Sequence, residues 1–469
     1  MDIEAIEDFE FEPRMSDADA LMWNIEKDPL LRSTIVTVFV LDRSPDRERF
    51  TENMERVTRV VPRLRQRVLG HPMSIAPPRW EIDPNFDLSY HLRWMKAIGQ
   101  GTIREVLDIA RPIAMQGFDR ARPLWEFTVV EGLADGKAAL IGKVHHAITD
   151  GVGGMKLQME MLDLEREPAG TGELPPVPEP RNLTEGRRWI DALSYETIRQ
   201  TEAVRGLLAG APREARALIN DPVGVISDLL DTTTSMARML RPATDPLSPL
   251  MRDRSLSVRF DTLRLPLQPL KAVAKIVSGR LNDAFVAGVA GGLRRYHQHH
   301  GVDVELLRMT MPINVRDDET ARRAGNQFVP ARFPVPVGIE DPIARMNAVR
   351  ELVAHQRAEP ALSLSDPIAN LLNRLPASAT TGVFGAMLKG IDFVTSNVPG
   401  APVTIFVAGA QIESQIALGP MTGAATSVVL LSYRDDVNLG INTDPAAIPD
   451  AVAFVEALRD SFDELLKLV

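Results

Sequence analysis

The stretch Ala138-Ala139-Leu140-Ile141-Gly142-Lys143-Val144-His145-His146-Ala147-Ile148-Thr149-Asp150-Gly151 carries most of what this chain says about itself. Ala138 to Val144 is a mostly apolar run bounded by polar residues, which reads as a strand. The second half has the form HHxxxDG, in a chain with only 8 histidines among 469 residues. The chain turns after His146, and Thr149 or Asp150 can cap a helix carrying Lys156, Leu157, Met159, Met161 and Leu162. A side chain at such a junction is held by a rigid element on each side. A neutral imidazole there has the chemistry of a general base toward a hydroxyl or an amine.

The parts of the motif divide by geometry. Consecutive side chains at a strand end point to opposite sides, so one histidine faces a cavity and the other packs. His146 is the expected base and His145 the support. Asp150 lies beyond the turn, where a helix cap or a buried ion pair explains it as well as chemistry does. Its expected role is structural. Gly151 supplies backbone freedom at the same turn. A metal site is not expected. Adjacent histidines converge poorly on one ion, and His71, His91, His297, His299, His300 and His355 show no ligand spacing with carboxylates. His297, His299 and His300 read as the solvated end of an arginine-bearing helix.

Composition narrows the chemistry. The chain has no cysteine, which removes disulfides, thiolate metal sites and cysteine nucleophiles. No Gly-x-Ser-x-Gly elbow occurs either, so group transfer is expected to be direct. A net charge of −10 argues against a nucleic-acid partner, since phosphate binding needs a basic surface. The start Met1-Asp2-Ile3-Glu4 is acidic and lacks the apolar core of a secretory signal. No window holds about 18 uninterrupted apolar residues. The expectation is a cytoplasmic protein, at most peripheral on a membrane or lipid inclusion.

Strand and helix patterns alternate along two stretches of the chain. Thr34–Leu41 is β-branched and aromatic and reads as a strand. Ser44-Pro45 reads as a cap and first helical residue, followed by Phe50, Met54, Val57 and Val61 at helical spacing. Val129–Val130 continues the strand set. A Pro/Gly/Glu-rich stretch from Glu167 to Pro180 reads as a linker. Arg181–Pro246 follows with helical patches at Trp189–Ile198 and Ala215–Leu230. Beyond it come a strand at Leu256–Leu265, a helix from Leu281-Asn282-Asp283, strands at Leu307–Pro312 and Phe328–Val335, and one at Ile391–Thr395. A hairpin, Val428–Tyr433 with Val437–Asn442, precedes a terminal helix with Val452, Val455, Leu458, Phe462, Leu465 and Leu466 on one face. The expected division is an N-terminal lobe at 1–166, a linker and helical crossover at 167–254, and a C-terminal lobe at 255–469. The lobes look alike in pattern, without a convincing sequence repeat.

Taken singly, Pro123-Leu124-Trp125-Glu126-Phe127 is a buried aromatic at a strand start, Asn282-Asp283 a helix cap, and Ser396-Asn397-Val398-Pro399-Gly400 a turn. Taken together and in order, these resemble the motif blocks of the bacterial wax ester synthase/diacylglycerol acyltransferases. HHAITDG at 145–151, PLWEF at 123–127, LND at 281–283, MPINVR at 311–316, GNQF at 325–328 and SNVPG at 396–400 carry the resemblance. It extends from Ser16-Asp17-Ala18-Asp19 to the last helix. HHxxxDG alone indicates only the wider superfamily of chloramphenicol acetyltransferase, peptide-synthetase condensation domains and polyketide-associated acyltransferases. Ala401, where many relatives carry a second proline, and Ala284 are small departures that leave chain-length and acceptor preference open.

The resemblance implies an α/β (α+β) fold of two chloramphenicol-acetyltransferase-like lobes, each a mixed sheet with helices, joined by a helical crossover. It implies acyl transfer from acyl-CoA, as co-substrate rather than cofactor, to diacylglycerol, with His146 as base. Gly151, Pro123, Leu124, Trp125, Asn282, Asp283, Ser396 and Asn397 would bind substrate or shape the site, Asn282 as a polar contact, and Asp150 would hold the turn through an arginine such as Arg316 of the other lobe. A long-chain fatty alcohol is an alternative acceptor, and a non-catalytic lipid-inclusion-binding protein an alternative role.

Overall fold

Strand β1 (Thr34–Leu41) is an interior strand of the first sheet, because its β-branched and aromatic side chains are apolar on both faces. The computed structural model describes residues 12–70, 76–148, 160–168, 172–180, 182–201, 245–314, 328–357, 381–382, 385 and 388–469. Helix α1 (Asp17–Ile25) precedes β1 and α2 (Arg47–Val60) follows it. Next come β2 (Gln66–Leu69), β3 (Arg79–Ile82), the single turn α3 (Leu88–His91), β4 (Leu92–Lys96), α4 (Ile103–Met115), β5 (Trp125–Glu131) and β6 (Ala138–His145). The second half comprises β7 (Arg259–Pro266), α5 (Leu267–Ile276), α6 (Leu281–His299), β8 (Leu306–Asn314), β9 (Phe328–Pro336) and α7 (Pro342–Arg357). It ends with β10 (Phe393–Val398), β11 (Phe406–Val407), β12 (Ala410–Leu418), β13 (Thr426–Tyr433), β14 (Asp436–Thr443) and α8 (Ala451–Leu466).

Two six-stranded mixed sheets result. The first has the order β11-β12-β1-β6-β5-β4 and the second β7-β14-β13-β10-β8-β9. β4 runs parallel to β5, and β10 runs parallel to both β13 and β8. The first sheet is covered on both faces. Phe50, Met54 and Val57 of α2 join Trp125, Phe127 and Leu140 on one side. Val106, Leu107 and Ala110 of α4 cover Val36, Val38 and Ile141 on the other. The second sheet packs against α5, α6, α7 and α8 in one large core.

The sheets do not respect the expected boundary at residue 255. β12 pairs antiparallel with β1, Val36 opposite Leu418 and Val38 opposite Ile416, so the second half of the chain completes the first lobe's sheet. β12 also packs on β13 and β14. There Gly440 lies so close that an added Cβ would stand 1.9 Å from the Ala417 carbonyl oxygen. Arg104 to Asp261, 2.7 Å, and Lys389 to Asp28, 2.6 Å, tie the lobes elsewhere. Inside the second lobe, Gly288, Gly291 and Gly292 of α6 let α8 approach, with Phe462, Ser461 and Leu458 in the space their side chains would take.

Several local expectations need correction. Asp46, not Ser44, caps α2 by accepting from the Arg49 amide at 2.8 Å; the Ser44 hydroxyl is used at Glu131, 2.6 Å away. β7 starts at Arg259 rather than Leu256, because Asp444 holds the Ser255 amide and hydroxyl away from the ladder. Ser396 and Asn397 lie inside β10 rather than in the turn after it. On α8, Phe454, Leu458, Phe462 and Leu465 are buried, whereas Val452 is 53% exposed. Within the expected crossover, a helix covers residues 185–201. It docks on the first lobe through Asp191, which pairs with Arg14 and Arg79, and through Arg199, which pairs with Asp17. The patch at 215–230 lies outside the described residues.

Replacing Gly440 with Val should force β14 away from β12. The expected loss is about 1–3 kcal/mol, as for overpacked cores, read as a lower urea midpoint for the whole chain.

Candidate active site

The end of β6 is pinned from both neighbouring strands. The His145 amide donates to the Leu124 carbonyl at 3.0 Å, and the His146 amide donates to the Ser33 carbonyl at 2.9 Å. Leu124, just ahead of β5, and Ser33, just ahead of β1, thus fix the main chain where the motif begins. Trp125 anchors the β5 side: its indole Nε1 donates to the Leu64 carbonyl at 2.7 Å. His91 stacks on Trp125 with centroids 4.4 Å apart, and Phe86 stacks on the far side of His91 at 5.3 Å. His91 Nδ1 bonds the Trp125 carbonyl at 2.7 Å. Pro123 closes the turn, its carbonyl accepting from the Trp125 amide at 3.1 Å.

The two histidines separate as strand geometry requires. His145 is buried. Its Nδ1 accepts from the Ala147 amide at 3.1 Å, which places the ring proton on Nε2. That nitrogen lies 2.9 Å from Glu26 Oε1, within reach of its carboxylate. Trp23 and Phe118 meet the ring edge-on at 5.6 and 6.0 Å. His146 opens the single turn His146–Ile148. It sits deep in the protein yet keeps accessible surface. Burial, with His145 pushing the same way, lowers its pKa to about 4, against the opposing pull of its own carbonyl and of Glu26. The ring is therefore neutral at physiological pH and able to accept a proton.

Two charged groups that the motif did not announce lie beside it. Burial pushes the Glu26 carboxyl up, but His145, the Ser33 amide and Arg120 together hold it below the ordinary carboxylate range. Lys143 lies one strand repeat before His145 and is fully buried, its Nζ 4.3 Å over the Phe118 ring. Burial lowers its pKa, with Glu126 opposing. A pocket between the lobes runs along the same side of β1, lined by Arg32, Thr34 and Val36 from the first lobe and Leu256, Met421 and Asn442 from the second. Thr34 is the register partner of His145. His146 itself is not part of that lining.

The remaining expected site residues fall in different places. Asp150, Gly151 and Arg316 lie outside the described residues. Asn282 Nδ2 donates to Met311 Sδ at 3.5 Å, and Asp283 accepts from the Arg280 amide at 2.7 Å, closing the α6 capping box. Ser396 is half-buried and Asn397 exposed. His297 is not solvated: it is fully buried, with Nδ1 bonding the Leu293 carbonyl at 2.8 Å and Nε2 bonding the Ser248 hydroxyl at 2.7 Å. His299 and His300 are exposed and share a surface corner with Asp450, their ligand atoms within 4.8 Å of one another. Spacing along the chain could not show that meeting of α6 with α8.

Known proteins match this arrangement over nearly its whole length. A model of the wax ester synthase/diacylglycerol acyltransferase catalytic domain matches residues 15–285, and one of the WS/DGAT C-terminal domain matches 324–466. The chain belongs to the wax ester synthase/diacylglycerol acyltransferase family. A Mycobacterium tuberculosis protein with a provisional diacylglycerol O-acyltransferase name is 39% identical, over 97% of this chain and 93% of its own length. A second from that organism, similarly named, is 25% identical over 91% and 89%. The solved wax ester synthase/diacylglycerol acyltransferase of Marinobacter aquaeolei VT8 superposes with a TM-score of 0.62 at 21% identity, covering 96% of this chain and 98% of that one. The first condensation domain of the calcium-dependent antibiotic synthetase shares the fold at a TM-score of 0.58 and 15% identity, over 98% and 96%.

This WS/DGAT-type acyltransferase has, among the described residues, no helix long and apolar enough to cross a membrane. Its buried histidines give it a pH signature. Burial lowers the pKa of His91 and His297 below the ordinary imidazole value, as it does for His146. Between about pH 6.5 and 4 the unfolded chain binds more protons than the folded one, so stability falls as pH falls. Urea midpoints at pH 7.5, 6 and 5 should decline in that order.

Proposed function

We propose that this enzyme moves a fatty acyl group from acyl-CoA to diacylglycerol, giving triacylglycerol and free CoA. The observation that carries the reading is His146: neutral, deep in the protein, keeping accessible surface and fixed by the Ser33 carbonyl in a chain of this family. The acceptor hydroxyl gives its proton to His146 as its oxygen attacks the thioester carbonyl. A tetrahedral oxyanion forms and collapses, the C–S bond breaks, and the imidazolium returns the proton to the departing thiolate. The thioester is already an activated acyl donor, so the reading includes no resident cofactor and no acyl-enzyme. The relatives' diacylglycerol O-acyltransferase names support the acceptor. Contact with a lipid surface finds support in the helix over residues 185–201, where Ile190, Leu193 and Ile198 are 66%, 52% and 60% exposed.

His146→Ala should lower turnover by roughly 10²–10⁴-fold, the usual contribution of a general base. Release of CoA thiol from palmitoyl-CoA, with dioleoylglycerol and hexadecanol compared side by side, measures it. Wild-type release with hexadecanol alone would move the assignment to wax ester synthesis. No release with either alcohol would favour lipid binding without turnover. In the wild type, kcat/KM should hold its value down to about pH 5 and fall with an acid limb near 4, well below the ordinary imidazole value of about 6.5.

A further inference from the structure

Glu26 follows directly on α1, far from the motif in sequence and at its edge in space. Its side chain is 10% exposed. One oxygen, Oε1, serves two partners: it lies 2.9 Å from His145 Nε2 and accepts from the Ser33 amide at 2.6 Å. Ser33 in turn accepts the His146 amide through its carbonyl. A single carboxylate therefore reaches His145 through its ring and His146 through one intervening residue, Ser33.

We propose that Glu26 is the positioning carboxylate of the acyl-transfer site, holding both histidines of the motif in register and favouring positive charge on His146 as it takes the acceptor's proton. The proposal rests on the general-base reading of His146. Ionised Glu26 needs its partners, because a buried charge is retained only where it is compensated. His145, the Ser33 amide and Arg120, whose Nη2 lies 3.9 Å from Glu26 Oε2, supply that compensation. Arg120 is itself held 4.0 Å over the Trp23 ring, and Trp23 packs on His145. The other charged groups facing this corner are Lys143 of β6, with Glu126 opposite it on β5, and Arg32 ahead of β1, which donates to the Met115 carbonyl. Proton transfer creates an imidazolium at His146, and a fixed negative charge nearby stabilises it without reorganisation. Outer residues that orient a reacting group act in this way.

The test is kinetic, on the full chain, with the better acceptor from the comparison above. Glu26→Gln keeps shape and acceptor oxygen but removes the charge. It should lower kcat roughly 10–100-fold, in the range for outer-shell orienting partners. KM for palmitoyl-CoA should change less than about twofold, as expected when transition-state rather than ground-state contacts are lost. The acid limb of kcat/KM should move to lower pH, since the lost carboxylate no longer favours protonated His146. Glu26→Asp should recover part of the rate. A Glu26→Gln enzyme with wild-type kcat and an unmoved limb overturns the proposal. So does a Glu26→Ala variant that loses thermal stability while Glu26→Gln stays wild-type, since Glu26 is then merely structural. His146→Ala run in parallel separates the two levels: an active His146→Ala enzyme overturns the base itself, and an inactive one beside an unaffected Glu26→Gln overturns only the role of Glu26.

Discussion

The hydrogen bond from the His146 amide to the Ser33 carbonyl is the point on which the site turns. It extends the β1–β6 ladder by one more link after the strand proper has ended. His146 is thereby placed by main-chain geometry, at the turn that follows the strand. The matching bond from the His145 amide to the Leu124 carbonyl does the same from the other side. The PLW segment thus acts through its backbone at Leu124 and its indole at Trp125, and the aromatic stack with His91 and Phe86 makes that support stiff.

The short segment from Glu26 to Ser33 gathers several duties. Glu26 steadies the histidines, Asp28 pairs with Lys389 of the second lobe, Arg32 closes the end of α4, and Ser33 receives His146. The lobes and the catalytic corner are therefore joined through eight consecutive residues. A shift of one lobe against the other is felt first by that segment. A pocket between the lobes runs along the same stretch, with Pro29, Leu30 and Arg32 in its wall.

Much of this was legible in the sequence because the signals are local. The apolar run into HHxxxDG, the β-branched Thr34–Leu41 and the hairpin around Arg434-Asp435 each declare themselves within a few residues. The motif blocks, read in order, declared the family. What stayed hidden depends on contacts between distant segments. Glu26 looks like any glutamate near a helix end until Ser33 and His145 converge on it. Lys143 reads as an edge lysine until both neighbouring strands bury it. His297 passes for a solvated histidine until Ser248 is folded against it. Ala410–Leu418 was not singled out in the sequence, and its place in the first lobe's sheet shows only when it pairs with β1.

That strand has a consequence for how the molecule comes into being. Val36 is paired with Leu418, so β1 keeps an open edge until β12, several hundred residues later in the chain, has left the ribosome. An apolar strand with unpaired amides and carbonyls invites association with other chains. Pairings between such remote segments also form slowly. During synthesis the first half is thus a half-closed sheet waiting for its outer strand. The sheet that carries the histidine motif is complete only when that late-made strand arrives.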